Sequence, residues 1–81
     1  MKPTARLTNW AYRNFAFSGN VYGNPRFVPG YFVVTSPVIG IAKDAEDVFI
    51  IETQNTNYIL DPAPQGESRE QLKRMISAGQ N

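Results

Sequence analysis

Four groups of side chains in this sequence could do chemistry. The first centres on Arg26, in the stretch GNVYGNPRF at residues 19–27. It follows a proline and lies close in sequence to Tyr22 and Phe27. A guanidinium so placed can grip a phosphate or carboxylate through two parallel hydrogen bonds, with a ring beside it on which a base can stack. The same arginine can instead cover its aromatic neighbours and cap turn carbonyls. The second group is uncharged: Thr35-Ser36-Pro37, and the run TQNTNY from Thr53 to Tyr58. Donors and acceptors gathered at strand ends can rim a ligand pocket, although Asn and Thr are also what turns require. Arg26, Tyr22, Thr35, Ser36, Asn55, Asn57 and Tyr58 together form the candidate ligand-binding set.

The third group is acidic. Asp44, Glu46 and Asp47 crowd one short loop. A carboxylate pair of the glycosidase kind must face across a cleft, and a calcium loop needs spaced oxygen ligands around a turn glycine. KDAEDV has neither pattern, so these acids read as a solvated loop. The fourth group is aromatic: Tyr12, Tyr22, Tyr31, Tyr58 and Phe27 exceed what one face of a small core needs. Such rings, interleaved with arginine, suit stacked bases or a protein interface equally.

What is missing narrows the classes further. The chain has no His and no Cys. That removes the usual general base, the Ser-His pairing, thiolate chemistry and the commonest zinc ligands. GNVYG lacks the Lys-Ser/Thr that follows the glycines of a phosphate loop. The expectation is a protein that is not an enzyme, with no catalytic residue, no metal and no cofactor. At 81 residues one domain is expected. Chains of this size bury only about 60% of their unfolded surface and often gain stability by self-association, so a homo-oligomer is expected. No apolar run approaches the roughly 20 residues that span a bilayer. The first residues lack the apolar core of a signal peptide, which points to the cytoplasm and away from membranes. Charge is unevenly spread: residues 1–26 hold four cations and no acid, while residues 27–61 hold Lys43 against five acids. Such a split can mark a basic face for an anionic partner, nucleic acid included, or two halves that neutralise each other.

These side chains must be positioned by short strands. Asn14 to Tyr22 alternates, with Phe15, Phe17, Gly19 and Val21 on one face and Ala16, Ser18, Asn20 and Tyr22 on the other. Gly19 suggests a bend or bulge. Asn24-Pro25 and Pro29-Gly30 read as turns, the second of type II. Two strands are expected at about 31–36 and 38–43, parted by Ser36-Pro37, and two more at 48–53 and 57–60. Ser68 with Gln71 has capping-box spacing, and Leu72, Met75 and Ile76 form the apolar stripe of a helix of about ten residues within 67–78. Gly79 supplies its stop. LTNWAYRN, residues 7–14, is read as one helical turn that plants Trp10 on the core. The expected fold is therefore mainly β: a five-stranded antiparallel barrel or curled sheet, SH3-like, over residues 14–60, with a short C-terminal helix.

The run Gly19-x-Val21-Tyr22-Gly23-x-Pro25-Arg26-Phe27-x-x-Gly30, then Thr35-Ser36-Pro37-Val38 and Thr53-x-Asn55-Thr56-x-Tyr58-x-Leu60, resembles a set of short uncharacterised phage, prophage and bacterial proteins. It covers residues 19–60. The resemblance implies a phage-type protein that works by binding, with a host protein or a host signalling molecule as partner. The leading expectation is a non-catalytic module that sequesters an anionic, nucleotide-like defence signal of the host bacterium. Arg26 would pair with phosphate, and Tyr22 or Tyr58 would stack. The alternatives are an interaction module that inhibits a host defence enzyme, and a small nucleic-acid-binding barrel.

Overall fold

The computed structural model describes residues 3–46 and 48–79. Six strands come first: β1 (Thr4–Arg13), β2 (Ala16–Tyr22), β3 (Tyr31–Val34), β4 (Gly40–Lys43), β5 (Phe49–Glu52) and β6 (Asn57–Asp61). One helix, α1 (Gly66–Gly79), follows them. The strands form one mixed sheet in the order β3-β2-β1-β6-β5-β4. The main correction concerns the N-terminal segment. Residues 7–14 do not make a helical turn; residues 7–13 belong to β1, which lies mid-sheet between β2 and β6, and Asn14 starts the turn that follows. The sheet therefore has six strands instead of five. It is also not purely antiparallel, because β1 runs parallel to β6, Thr4 beside Asn57 through Thr8 beside Asp61.

Alternation explains the layering. Ala5 and Leu7 on β1, Phe17 and Val21 on β2, Phe49 and Ile51 on β5, and Tyr58 and Leu60 on β6 all face one side. Leu72 of α1 completes that core, and Met75 and Ile76 pack beside it as the apolar stripe requires. Fully burying a Phe or Leu contributes about 1.5–3 kcal/mol, so this cluster supplies most of the drive. The helix begins three residues earlier than its capping-box spacing suggests, at Gly66 with φ +61°, so Ser68 lies inside the first turn.

The expected bulge exists, but in the partner strand. Pairing of β1 with β2 slips between Thr8 and Ala11, where Asn9 takes φ 48°. Gly19 lies opposite. A Cβ on it would sit 2.5 Å from the Thr8 carbonyl and 3.2 Å from the Trp10 Cα. The glycine is what lets the bulged strand approach. Asn14 and Phe15, both at positive φ, form the turn between β1 and β2. Phe15 is therefore carried out to solvent and not to the core face expected of it.

The sheet does not close into a barrel: β3 and β4 are its two edges and do not pair. Residues 35–39 nevertheless join these opposite edges directly. Six strands laid flat would separate them by about 24 Å, at about 4.8 Å per step. Six residue steps from Val34 to Gly40 reach at most about 21 Å. The sheet must curl. Two adjacent residues hold the curl in place: Val38 N–H donates to the Phe15 carbonyl at 2.7 Å, and Ile39 N–H donates to the Glu52 carbonyl at 2.9 Å. Because 35–39 is this strap, β3 and β4 are each shorter than the 31–36 and 38–43 expected.

Replacing Gly19 with alanine should force the bulge apart. We expect a loss of about 1–3 kcal/mol in urea unfolding, the range for overpacked sites.

Candidate functional site

The seven sequence-derived candidates do not converge. Arg26 sits in an exposed turn built by its neighbour Asn24. The Asn24 Oδ1 accepts the Arg26 N–H at 2.9 Å, and its Nδ2 donates to the Thr4 carbonyl at 3.0 Å. Phe27 N–H closes the turn onto the Asn24 carbonyl at 3.0 Å. The second turn is also as expected: Tyr31 N–H donates to the Val28 carbonyl at 3.0 Å, with Gly30 at φ +83°. Tyr22 is engaged by a different arginine. The Arg6 guanidinium lies 5.4 Å from its ring centroid and also pairs with Asp61 at 3.3 Å. That pair joins the basic first third to the acidic middle, though both side chains are about half exposed.

Thr35 is buried and its hydroxyl is used twice. It accepts the Phe17 N–H at 3.0 Å and donates to the Ser36 carbonyl at 2.8 Å. Ser36 is half-buried on the strap. Asn55 is exposed at a turn tied by Thr53 and Thr56, whose hydroxyl and carbonyl meet at 2.7 Å. Tyr58 is only 5% exposed, and its ring belongs to the core instead of being offered to a stacking base. Asn57 N–H donates to the Pro3 carbonyl at 2.9 Å, while its Oδ1 is buried without a hydrogen-bond partner. Thr4 neighbours both Asn24 and Asn57, so Tyr22, Arg26 and Asn57 share one end of the sheet. Thr35 and Ser36 lie beside Phe17, five residues down β2, about 17 Å away at strand rise.

The described part of the acidic loop is exposed, as a solvated loop would be, and Asp44 ties it. Asp44 Oδ1 accepts from Glu46 N–H at 2.8 Å and Val48 N–H at 3.0 Å, and Asp44, Ala45 and Glu46 are exposed. Asp47 lies outside the described residues. Among the described residues no three acidic side chains gather as a metal site would need.

A concavity does exist, on the sheet face turned away from the core. Ala11, Ser18 and Val34 form one row across β1, β2 and β3, with Arg13 and Ala16 paired in the next. The side chains in the middle are small, and Phe32 and Val34 stand above them on the edge strand. The result is an open groove of about 370 Å³ lined by these residues, Asn14 and Phe17. That volume lies at the lower end of small-molecule sites. Arg13 at its rim is exposed, and its guanidinium has no ion-pair or hydrogen-bond partner among the described residues. From Pro3 to Lys43 the sequence contains no acid, so nothing local on these three strands offsets its charge.

None of the groove residues belongs to the seven candidates. Two signals pointed to them. Ala16 and Ser18 are small residues on the second face of an alternating strand, and YFVV is apolar on both faces. Compared with known families, curated proteins and solved structures, the chain matches none.

Thr35→Val would orphan the Phe17 N–H. The expected loss is about 1–3 kcal/mol of stability, whereas Ser36→Ala should stay within about 0.5 kcal/mol. Parallel urea titrations check both.

Proposed function

We propose that this chain is a non-catalytic binding module that holds an anionic, nucleotide-like molecule in the groove on the outer face of β1–β3. The observation that carries this reading is the company Arg13 keeps. An unpaired guanidinium stands at the rim of a trough whose floor is Ala11, Ala16 and Ser18 and whose wall is the exposed ring of Phe32. A planar base can lie against Phe32 over that small-residue floor. A phosphate at the rim can take two parallel hydrogen bonds from Arg13, and Ser18 and Asn14 can serve ribose or base edges. The chemistry is the one expected of Arg26 and Tyr22, carried by different residues. No His or Cys is available to turn such a ligand over. With the resemblance to short phage and bacterial proteins, the ligand in view is a host signalling molecule, bound and withheld.

The test is a thermal-shift screen against cyclic and linear nucleotides, followed by calorimetry on two variants. A ligand at a hundred times its dissociation constant adds about 2.7 kcal/mol, a shift of roughly ten degrees or more for a domain this small. Arg13→Ala should weaken binding by about 1.5–3 kcal/mol, the worth of a hydrogen bond to a charged group, and leave the melting temperature of the free protein unchanged. Arg26→Ala should bind as the parent does. The opposite pattern would return the site to the turn at Arg26, and a flat screen would remove the nucleotide reading.

A further inference from the structure

We propose that the free edge of β3 pairs with β3 of a second copy, antiparallel about a twofold axis through Val33, so that two sheets become one of twelve strands. The backbone directions come from the ladder. Thr35 N–H donates to the Phe17 carbonyl at 2.7 Å, and Gly19 faces Val33 two residues along. Hydrogen-bonded pairs alternate in an antiparallel ladder. Thr35 and Val33 therefore turn their N–H and C=O groups toward β2, and Phe32 and Val34 turn theirs outward. Among the described residues nothing receives these outward groups.

The edge strand is short, at four residues, but carries none of the other usual protection against pairing. Natural sheets blunt exposed edges with charge, proline or bulges. From Phe27 to Ala42 there is no charged residue, and no proline lies within Tyr31–Val34. Tyr31, Phe32 and Val34 are instead 61%, 60% and 68% exposed. Two copies of this strand meet with no like charges opposed, which is the electrostatic condition for a self-complementary twofold contact.

One register satisfies every outward group within the strand. Phe32 pairs with Val34 of the second copy, exchanging two hydrogen bonds, and the symmetric pair adds two more. Val33 then faces its own copy on the axis. Each Phe32 ring lies beside the second copy's Val34 on the same face, an aromatic to β-branched pair of the favoured kind. The axis stands across the sheet, so both grooves open to the same side. Each groove wall, made by Phe32 and Val34, then continues into the other copy's wall. This deepens the binding reading at the same site, while the pairing itself stands on the edge alone.

With Val28 just before the strand, the exposed apolar side chains offer on the order of 300–450 Å² per copy. Stable interfaces bury about 800 Å² per partner. The dimer is therefore of modest, concentration-dependent strength.

Sedimentation velocity of the ligand-free chain from about 10 µM to 1 mM spans the weak-interface regime, and it should show a shift from 9.1 kDa toward twice that mass. Phe32→Pro removes one outward N–H and no bond to β2, and should hold the chain at 9.1 kDa with its circular dichroism kept. The chain has no cysteine, so Val33→Cys gives a single thiol on the axis. Non-hydrogen-bonded pairs sit about 4.5 Å apart at Cα, within disulfide reach. It should cross-link to a covalent dimer under mild oxidation, while Ala42→Cys on the opposite edge should not. If Phe32→Pro fails to fold, the two cysteine variants decide alone. A parent that stays monomeric throughout, or a dimer in which Val33→Cys cross-links no faster than Ala42→Cys, overturns the pairing. A foreign protein captured on this edge by a monomeric chain would also overturn it. Arg13→Ala should leave the sedimentation unchanged, which separates failure of the groove from failure of the edge.

Discussion

The strap at residues 35–39 is the constraint on which the rest of the molecule depends. It joins the two edge strands of a six-stranded sheet with fewer residues than a flat sheet would need. Curvature is therefore imposed by chain connectivity. The bonds at Val38 and Ile39 hold the tip of the β1–β2 hairpin against the end of β5. Curling wraps one face around Phe17, Phe49 and Leu7 and leaves the other open. A chain of this size has one core to spend its apolar residues on, and here that core is the concave side.

The second requirement is that β1 be able to bend. It is ten residues long, and only Thr4–Thr8 pair with β6, while Ala11–Arg13 pair with β2 alone. The slip at Asn9 and the missing side chain at Gly19 let the strand turn there. Beyond the bend, Trp10 and Tyr12 lie against Phe17 with ring centroids 5.8 and 5.0 Å apart. The Trp10 indole N–H donates to the Pro62 carbonyl at 2.8 Å. One bulge thus serves the core, the approach to α1 and the groove, because Ala11 and Arg13 sit past the bend.

The contrast between Arg13 and Arg26 bears on function. Each is exposed, and neither guanidinium has a partner among the described residues. Arg26 stands on an exposed turn whose bonds all run through Asn24. Arg13 stands at the rim of the groove, across from an exposed aromatic ring. Binding energy for a small anion comes from enclosure as well as charge, since a wholly solvated ion pair is worth little. The difference lies in the surroundings of the two side chains and not in their type.

Much of this protein was legible in its residues. Alternation marked Phe17 and Val21 as core and Ala16 and Ser18 as the opposite face. Asn24-Pro25, Pro29-Gly30, Asp44 and the Thr53–Thr56 pair each formed the expected turn, because such turns are set by bonds within a few residues. The stripe of Leu72, Met75 and Ile76 gave the helix and its buried side. The mainly β class and the curled sheet followed from these. What tertiary structure alone decided were the contacts between distant segments. LTNWAYRN carries polar residues amid its apolar ones and reads poorly as a strand; its first seven residues become one because β2 pairs with them on either side of the bulge and β6 takes the other side of Leu7 and Thr8. Thr35 and Tyr58 look like ligand groups in isolation, yet one completes a ladder at Phe17 and the other fills the core. The groove exists only because Ala11, Ser18 and Val34, from three strands, fall in one row. Local chemistry writes turns and faces into a sequence, whereas register across strands depends on how the whole chain curls, and no short stretch contains it.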